Sequence, residues 1–283
     1  MTKILALVAS RRKYGNSHVL ALEAMAGAKS AGSDVELLNI SDLQIDFCEG
    51  CLRCVFTGKC SGKDDMGLLL AKILEADGLI VSAPVYLLSP ASVIKKLLDR
   101  ALVIALYADE LSERLRGALT ISVAGKEDWS PLGPEILNQF ALAYGFTVYN
   151  YLEAFAPGPG EILLQDEVVT QANTLGHGLV EYVLGKAQPR TPDPGQCPVC
   201  YSRSFRFLGG RNVQCPICLI KGELEESGII RITSDLKKDS FWEPGHRKRH
   251  LEEWIKVTRV TYLKNRALIK DKQKKYLPEN NIY

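Results

Sequence analysis

The sequence lacks both glycine-rich nucleotide signatures. No G-x-G-x-x-G follows the first apolar run, which argues against a dinucleotide fingerprint, and no Walker loop follows it either. No apolar run reaches the roughly 18 residues that a membrane span needs. The opening segment, 1–10, is too short for a signal peptide and reads as a strand, so a cytoplasmic location is expected and no membrane contact. Net charge is only +2 and by itself points to no partner. No cysteine stands alone. All eight fall at 48–60 or 197–218, a distribution that suggests metal binding over generic core use. A disulfide framework is not expected, because nothing else reads as secreted. At 283 residues the chain allows one large domain with additions, or two domains.

The first cysteine group is the centre of the chain's organisation. Cys48, Cys51 and Cys54 stand at C-x2-C-x2-C spacing and Cys60 follows. One short loop of this kind can wrap a cubane, as in the bacterial ferredoxin run, whose fourth cysteine serves a second cluster. No second such set follows here, so Cys60 would close the same cluster. A zinc ion is a rival, although three cysteines this close crowd a single tetrahedral ion. Free or redox-active thiols are the third reading. Arg53, inside the loop, would favour the reduced and more negative cluster.

Around that loop the chain alternates strand and helix. Strands are expected at 3–9, 34–40, 78–83, 118–124 and 146–156. Helices are expected at 18–31, from 64 or 65 to 76, at 91–108, 131–144 and 163–186. Five alternations make an α/β, flavodoxin-like, doubly wound parallel sheet of order 2-1-3-4-5, with a ligand crevice at the carboxyl ends of strands 1 and 3. The loop 10–17 carries Ser10, Arg12, Asn16 and Ser17 at a helix start, a phosphate site by its amides, hydroxyls and cations. Asn16 or Ser17 is the expected N-cap. Opposite stand Pro84, Val85 and Tyr86, an aromatic suited to a planar ring, with Ser89 beyond. Gly125 opens the neighbouring loop. The cysteine loop leaves strand 2 on the same side.

These residues carry a resemblance. The Ser10-x-Arg12-x-x-Gly15-Asn16-Ser17 loop, the C-x-x-C-x-x-C-x5-C segment with Asp64-Asp65-Met66 behind it, and the Ala83-Pro84-Val85-Tyr86 loop resemble the NADPH-dependent FMN reductases. More narrowly they resemble the iron–sulfur flavoproteins of anaerobes. The resemblance spans 1–186. It implies bound FMN, a [4Fe–4S] cluster on Cys48, Cys51, Cys54 and Cys60, and a homodimer or homotetramer. The expected activity is a flavin-dependent oxidoreductase passing electrons between a two-electron donor and one-electron carriers, with NAD(P)H or ferredoxin as donor. The alternatives are a plain FMN reductase without a cluster, or a redox sensor that binds nucleic acid.

Beyond 186 the pattern changes. The stretch 187–196 holds Pro189, Pro192 and Pro194 and reads as a stiff linker and domain boundary. Cys197, Cys200, Cys215 and Cys218 form two C-x2-C knuckles around a Gly209-Gly210 hairpin, a zinc-ribbon signal over 197–232. Zinc is expected there, with a rubredoxin-type iron as the alternative. Such a module lacks an adequate apolar core, so its metal is expected to supply much of its folding energy. The acidic stretch 223–226 reads as a solvated turn. The basic helical tail, 233–283, contains one long helix over 244–275 with eleven Lys or Arg against three Asp or Glu. Its Leu251, Trp254, Ile255, Val260 and Leu263 stripe is expected to pack on this or a neighbouring subunit. His246 and His250 read as surface residues.

Overall fold

The structure, a computed structural model, describes residues 1–276; the last residues of the tail, 277–283, lie outside the described region. Five parallel strands form the central sheet: β1 (Lys3–Val8), β2 (Asp34–Asn39), β3 (Gly78–Tyr86), β4 (Gly117–Ala124) and β5 (Thr147–Phe155). Their spatial order is β2-β1-β3-β4-β5, the doubly wound order read from the sequence. β1, β3 and β4 are almost wholly buried, as strands covered on both faces must be.

Two helices cover one face, α1 (Asn16–Ser30) and α5 (Asp166–Val183). They cross closely because glycines replace side chains at the contact. A Cβ on Gly27 would stand 1.8 Å from the Asn173 carbonyl oxygen, and one on Gly176 1.8 Å from that of Ala24. The other face carries α2 (Met66–Glu75), α3 (Ser92–Arg100) and α4 (Gly133–Ala143). The helix expected over 91–108 is shorter than its pattern. It ends at Arg100, continues as a 3₁₀ segment Ala101–Tyr107 and closes with a turn of helix at Ala108–Ser112. α1 starts two residues earlier than expected. Gly15 is its N-cap, and neither Asn16 nor Ser17 caps it.

The ribbon is larger than the hairpin read from the sequence. Strands β6 (Arg206–Gly209), β7 (Asn212–Gln214), β8 (Lys221–Leu224) and β9 (Ile230–Ile232) form an antiparallel sheet. The stretch taken as a solvated acidic turn therefore begins inside β8, where Glu223 pairs across the sheet with Arg231. Nor does the ribbon stand on its own core. Cys197, Cys200, Tyr201, Cys215, Ile217, Cys218 and Ile220 belong to the same apolar cluster as the α2–α4 face of the main sheet. The proline-rich stretch follows β5: the Arg190 amide donates to the Tyr149 carbonyl, and Gln196 Nε2 to the Tyr151 hydroxyl.

The tail is helical from 244 to 273, with a π-helical segment at His250–Ile255. Its apolar stripe divides. Leu251 and Ile255 are buried against Val55, whereas Trp254, Val260 and Leu263 are more than half exposed.

Candidate flavin crevice and cysteine sites

The crevice forms where β1, β3, β4 and β5 end. A cavity of about 90 Å³ there is lined by Ser10, Arg12, Gly15, Asn16, Ser17, Pro84, Val85, Tyr86 and Gly125, with Ala156, Pro157 and Pro159 closing it. The loop 10–17 is shaped by local bonds. The Arg12 amide donates to Ser10 Oγ and the Gly15 amide to the Arg12 carbonyl. A Cβ on Gly15 would approach the Arg12 Cβ to 3.0 Å, so a larger residue there would press on Arg12. The first amides of α1 have no intrahelical acceptors and open on the cavity. The enclosed volume suits a phosphate-sized group. A ring system attached to it has to lie at the mouth, where Tyr86 is 58% exposed.

Of the residues expected at the cofactor, Asn16 lines the cavity and its side chain also ties in a second loop. Its Nδ2 donates to the Ala156 and Gly158 carbonyls, and its Oδ1 accepts from the Ile162 amide. The side chain ties the 156–162 loop to the phosphate loop. Ser89 lies off the cavity lining. The chain reverses at Leu87 and Leu88, both at positive φ, and Ser89 pairs back against Tyr86 on the returning arm. The 156–159 wall was missed. Its only sequence signal was the Pro157-Gly158-Pro159-Gly160 turn at the end of a strand.

The cysteine loop leaves β2 at the same end of the sheet, and Asn39 Nδ2 donates to the Ser10 carbonyl where the two loops part. Only a short turn of helix, Cys54–Thr57, gives the loop structure of its own. Its ends are stapled by the two aspartates. Asp65 accepts from the Gln44 amide, and Asp64 from the amides of Asp46 and Met66. Cys48 and Cys51 are exposed; Cys54 and Cys60 are half-buried. Burial pushes the Cys54 thiol up, and the facing charges of Cys60, Cys51 and Cys48 push it further.

The ribbon cysteines differ. The four sulfurs lie within 4.8 Å of one another and all are buried. A tetrahedral ion with bonds of about 2.3 Å spaces its sulfurs by roughly 3.8 Å, so this cage matches one metal ion. Among the described residues no other group of three or more His, Cys, Asp or Glu ligands is gathered in this way. The 48–60 cysteines are not gathered into such a cage. His246 and His250 take no part; both rings pack on Phe241.

Sequence reasoning also missed Arg100. Its side chain is 1% exposed and ion-paired with Asp64, and it donates to Cys60 Sγ at 2.9 Å. The signal was a charged residue on the apolar stripe of α3, three positions after Leu97. Arg53, by contrast, is exposed.

Comparison with known proteins agrees with this geometry. Residues 2–127 match the NADPH-dependent FMN reductase family. An iron–sulfur flavoprotein of Archaeoglobus fulgidus is 29% identical over 179 residues, 63% of this chain and 79% of that protein. A flavone synthase of Aspergillus candidus is 24% identical, over 84% of both chains. The solved structure of a flavone reductase superposes over the whole of both chains with a TM-score of 0.77 at 22% identity, which establishes a shared fold through the ribbon and tail. No helix among the described residues is long and apolar enough to cross a membrane. With its crevice, its sheet order and its cysteine loop, the chain is a flavin oxidoreductase whose residues 2–127 match the NADPH-dependent FMN reductases and which is similar to the iron–sulfur flavoproteins.

Proposed function

We propose that this flavin oxidoreductase draws electron pairs from an NAD(P)H-type donor and releases them singly through a [4Fe–4S] cluster on Cys48, Cys51, Cys54 and Cys60. The observation that carries this reading is the cysteine loop itself. Four free thiols within thirteen residues sit at the end of the sheet that holds the flavin crevice, tied to it by Asn39 and Ser10. FMN, when bound, accepts a hydride or two electrons; the cluster, when bound, carries one electron. The chain's own residues hold and orient these groups. Ser10, Arg12, Ser17 and the first amides of α1 face the phosphate. Pro84, Val85 and Tyr86 offer an edge or face to the ring, and Gly125 lines the crevice beside them. No side chain is required as a general base.

The ribbon supplies structure in this reading. Zinc on Cys197, Cys200, Cys215 and Cys218 locks the β6–β9 sheet against α4. Hydrogen bonding with its neighbours pulls the Cys215 thiol well down, whereas burial pushes Cys218 up. A dimer or tetramer, as in the family's known members, is part of the same proposal.

Changing Cys54 to Ala tests the main claim. Anaerobically purified variant should keep its flavin absorbance and lose iron, sulfide and the paramagnetic resonance of the reduced cluster. It should also become slow with one-electron acceptors while remaining reducible at the flavin. Parent protein that holds neither iron nor sulfide after anaerobic reconstitution would make the loop a thiol site.

A second reading has its own support. The likeness over the whole chain is to a flavone reductase, that over 84% of it is to a flavone synthase, and the crevice mouth carries the exposed apolar side chains of Tyr86, Leu87 and Leu88. On this reading a planar aromatic substrate stacks at the mouth and exchanges a hydride with the flavin. Reduced protein mixed anaerobically with a flavone, in parallel with a viologen dye, distinguishes the two by which acceptor reoxidises it.

A further inference from the structure

Under the cysteine loop lies a buried ion pair that flavin chemistry does not use. The side chains of Arg100 and Asp64 are 1% and 0% exposed. Arg100 NH1 reaches Asp64 and the Asp46 carbonyl, at 3.1 Å from the latter. NH2 reaches Asp64 Oδ1 at 3.1 Å and Cys60 Sγ at 2.9 Å. One guanidinium therefore binds the loop's entry, its exit and its last thiol. Desolvating such a pair is expensive, and apolar side chains of similar volume often serve stability as well or better. Packing therefore does not explain why a charge stands on the buried stripe of α3. An anionic sulfur acceptor does, because hydrogen bonds to ionised acceptors are the short, strong ones.

We infer that Arg100 is a positioning residue for the cluster, acting through Cys60. Its N–H pins Cys60 as the fourth ligand and stabilises the reduced state, raising the cluster's reduction potential. The inference rests on the cluster reading above. In the relevant step one electron passes from reduced flavin to the oxidised cluster; the flavin is oxidised by one electron and the cluster gains one negative charge. Hydrogen bonds to cluster sulfurs favour the more negative state. Asp64 cancels most of the guanidinium's charge at a distance, so the effect is a directed hydrogen bond at one ligand. Exposed Arg53 acts only through water and is weakened by salt.

The test is a redox titration followed by electron paramagnetic resonance. Arg100→Lys keeps a countercharge for Asp64 but loses the planar fork that serves Asp64 and Cys60 together. Its cluster midpoint should move to more negative potential, with the flavin midpoint and the flavin content unchanged. Should that variant fold poorly, Arg100→Gln combined with Asp64→Asn removes both charges and should shift the midpoint in the same direction. Parent protein without iron and sulfide would sink the cluster reading itself. A parent that holds the cluster, with either folded variant at the parental midpoint, overturns the role of Arg100. Equal shifts of flavin and cluster would also overturn it, since they report a general disturbance.

Discussion

Glu135 offers the sharpest test of how the ribbon is attached. It sits in the first turn of α4, 7% exposed, and its Oε1 accepts from four donors of the ribbon's first loop. These are Ser202 Oγ at 2.9 Å, the Arg203 amide at 3.1 Å, the Ser204 amide at 3.1 Å and Ser204 Oγ at 2.9 Å. One helical turn on, Asn138 Nδ2 donates to the Cys200 carbonyl at 2.9 Å. A hydrogen bond to a charged group contributes about 1.5–3 kcal/mol. Four donors sharing one oxygen do not add, so Glu135→Ala is expected to lose about 3 kcal/mol in all. Unfolding entropy is about 2.1 cal/mol/K per residue, or roughly 0.6 kcal/mol/K for this chain, which places the fall in Tm near 5 °C. Glu135→Gln keeps an acceptor without the charge and should lose about half as much. The assay is a thermal melt followed by circular dichroism and flavin fluorescence, with zinc release read by a chelating dye. Both optical signals should fall together, because ribbon and sheet share one apolar cluster. A Glu135→Ala protein melting within about 1 °C of the parent, with parental zinc retention, would refute the docking argument.

Three further outcomes follow from the packing. Leu251→Ala should cost about 2–4 kcal/mol and speed labelling of Cys54 by a thiol reagent in apoprotein, since Leu251 lies on Val55; unchanged labelling would show that the tail does not brace the loop. Cys200→Ser should lower the melting temperature of the whole chain along with its zinc content, and loss of zinc with the sheet's melt untouched would mean the two fold independently. Burial alone would raise the Asp64 carboxyl, but the Arg100 hydrogen bond and the Asp46 and Met66 amides outweigh it and hold it below the usual carboxylate range. A depressed native value stabilises above the unfolded pKa, about 3.9, and the contribution is lost as pH falls through the native value. Parent protein should therefore lose stability more steeply below about pH 4 than the Arg100→Gln, Asp64→Asn pair, and parallel pH curves would count against it.

The elements that local pattern determines were legible in the sequence. The buried runs at β1, β3 and β4, the turns between them and the alternation with helices give the sheet order, because doubly wound connections allow few others. What escaped was set by distant contacts. Nothing local to Asn16 shows that the 156–162 loop takes both ends of its side-chain amide. Ser89 reads as a crevice residue until the reversal at Leu87 and Leu88 turns it onto the returning arm. Helix α3 stops at Arg100 although its apolar pattern continues, and there the side chain turns under the cysteine loop. The ribbon looked short of a core because half of that core lies on α4 and the sheet, more than a hundred residues away for some contacts.

The tail and ribbon also account for how so irregular a loop keeps its shape. Between 41 and 65 only four residues are helical, too few to hold a cofactor loop by local structure. Its ends are fixed by Asp64 and Asp65, but its middle needs a surface to rest on. Val55 finds that surface on Leu251 and Ile255, and Arg259 stacks over Phe56 at 4.8 Å. The π-helical segment lies where the tail meets the loop, and a wide turn there changes which side chains face inward. The tail is placed in turn by the second knuckle. Trp242 Nε1 donates to the Ile217 carbonyl and the Phe241 amide to that of Cys218, while both tail histidines pack on Phe241. A continuous path of contacts therefore joins the ribbon's sulfurs to Cys54. In this chain the tail is thus part of the cysteine loop's framework, since Leu251 and Ile255 bury against Val55 and Cys54 packs on the same cluster.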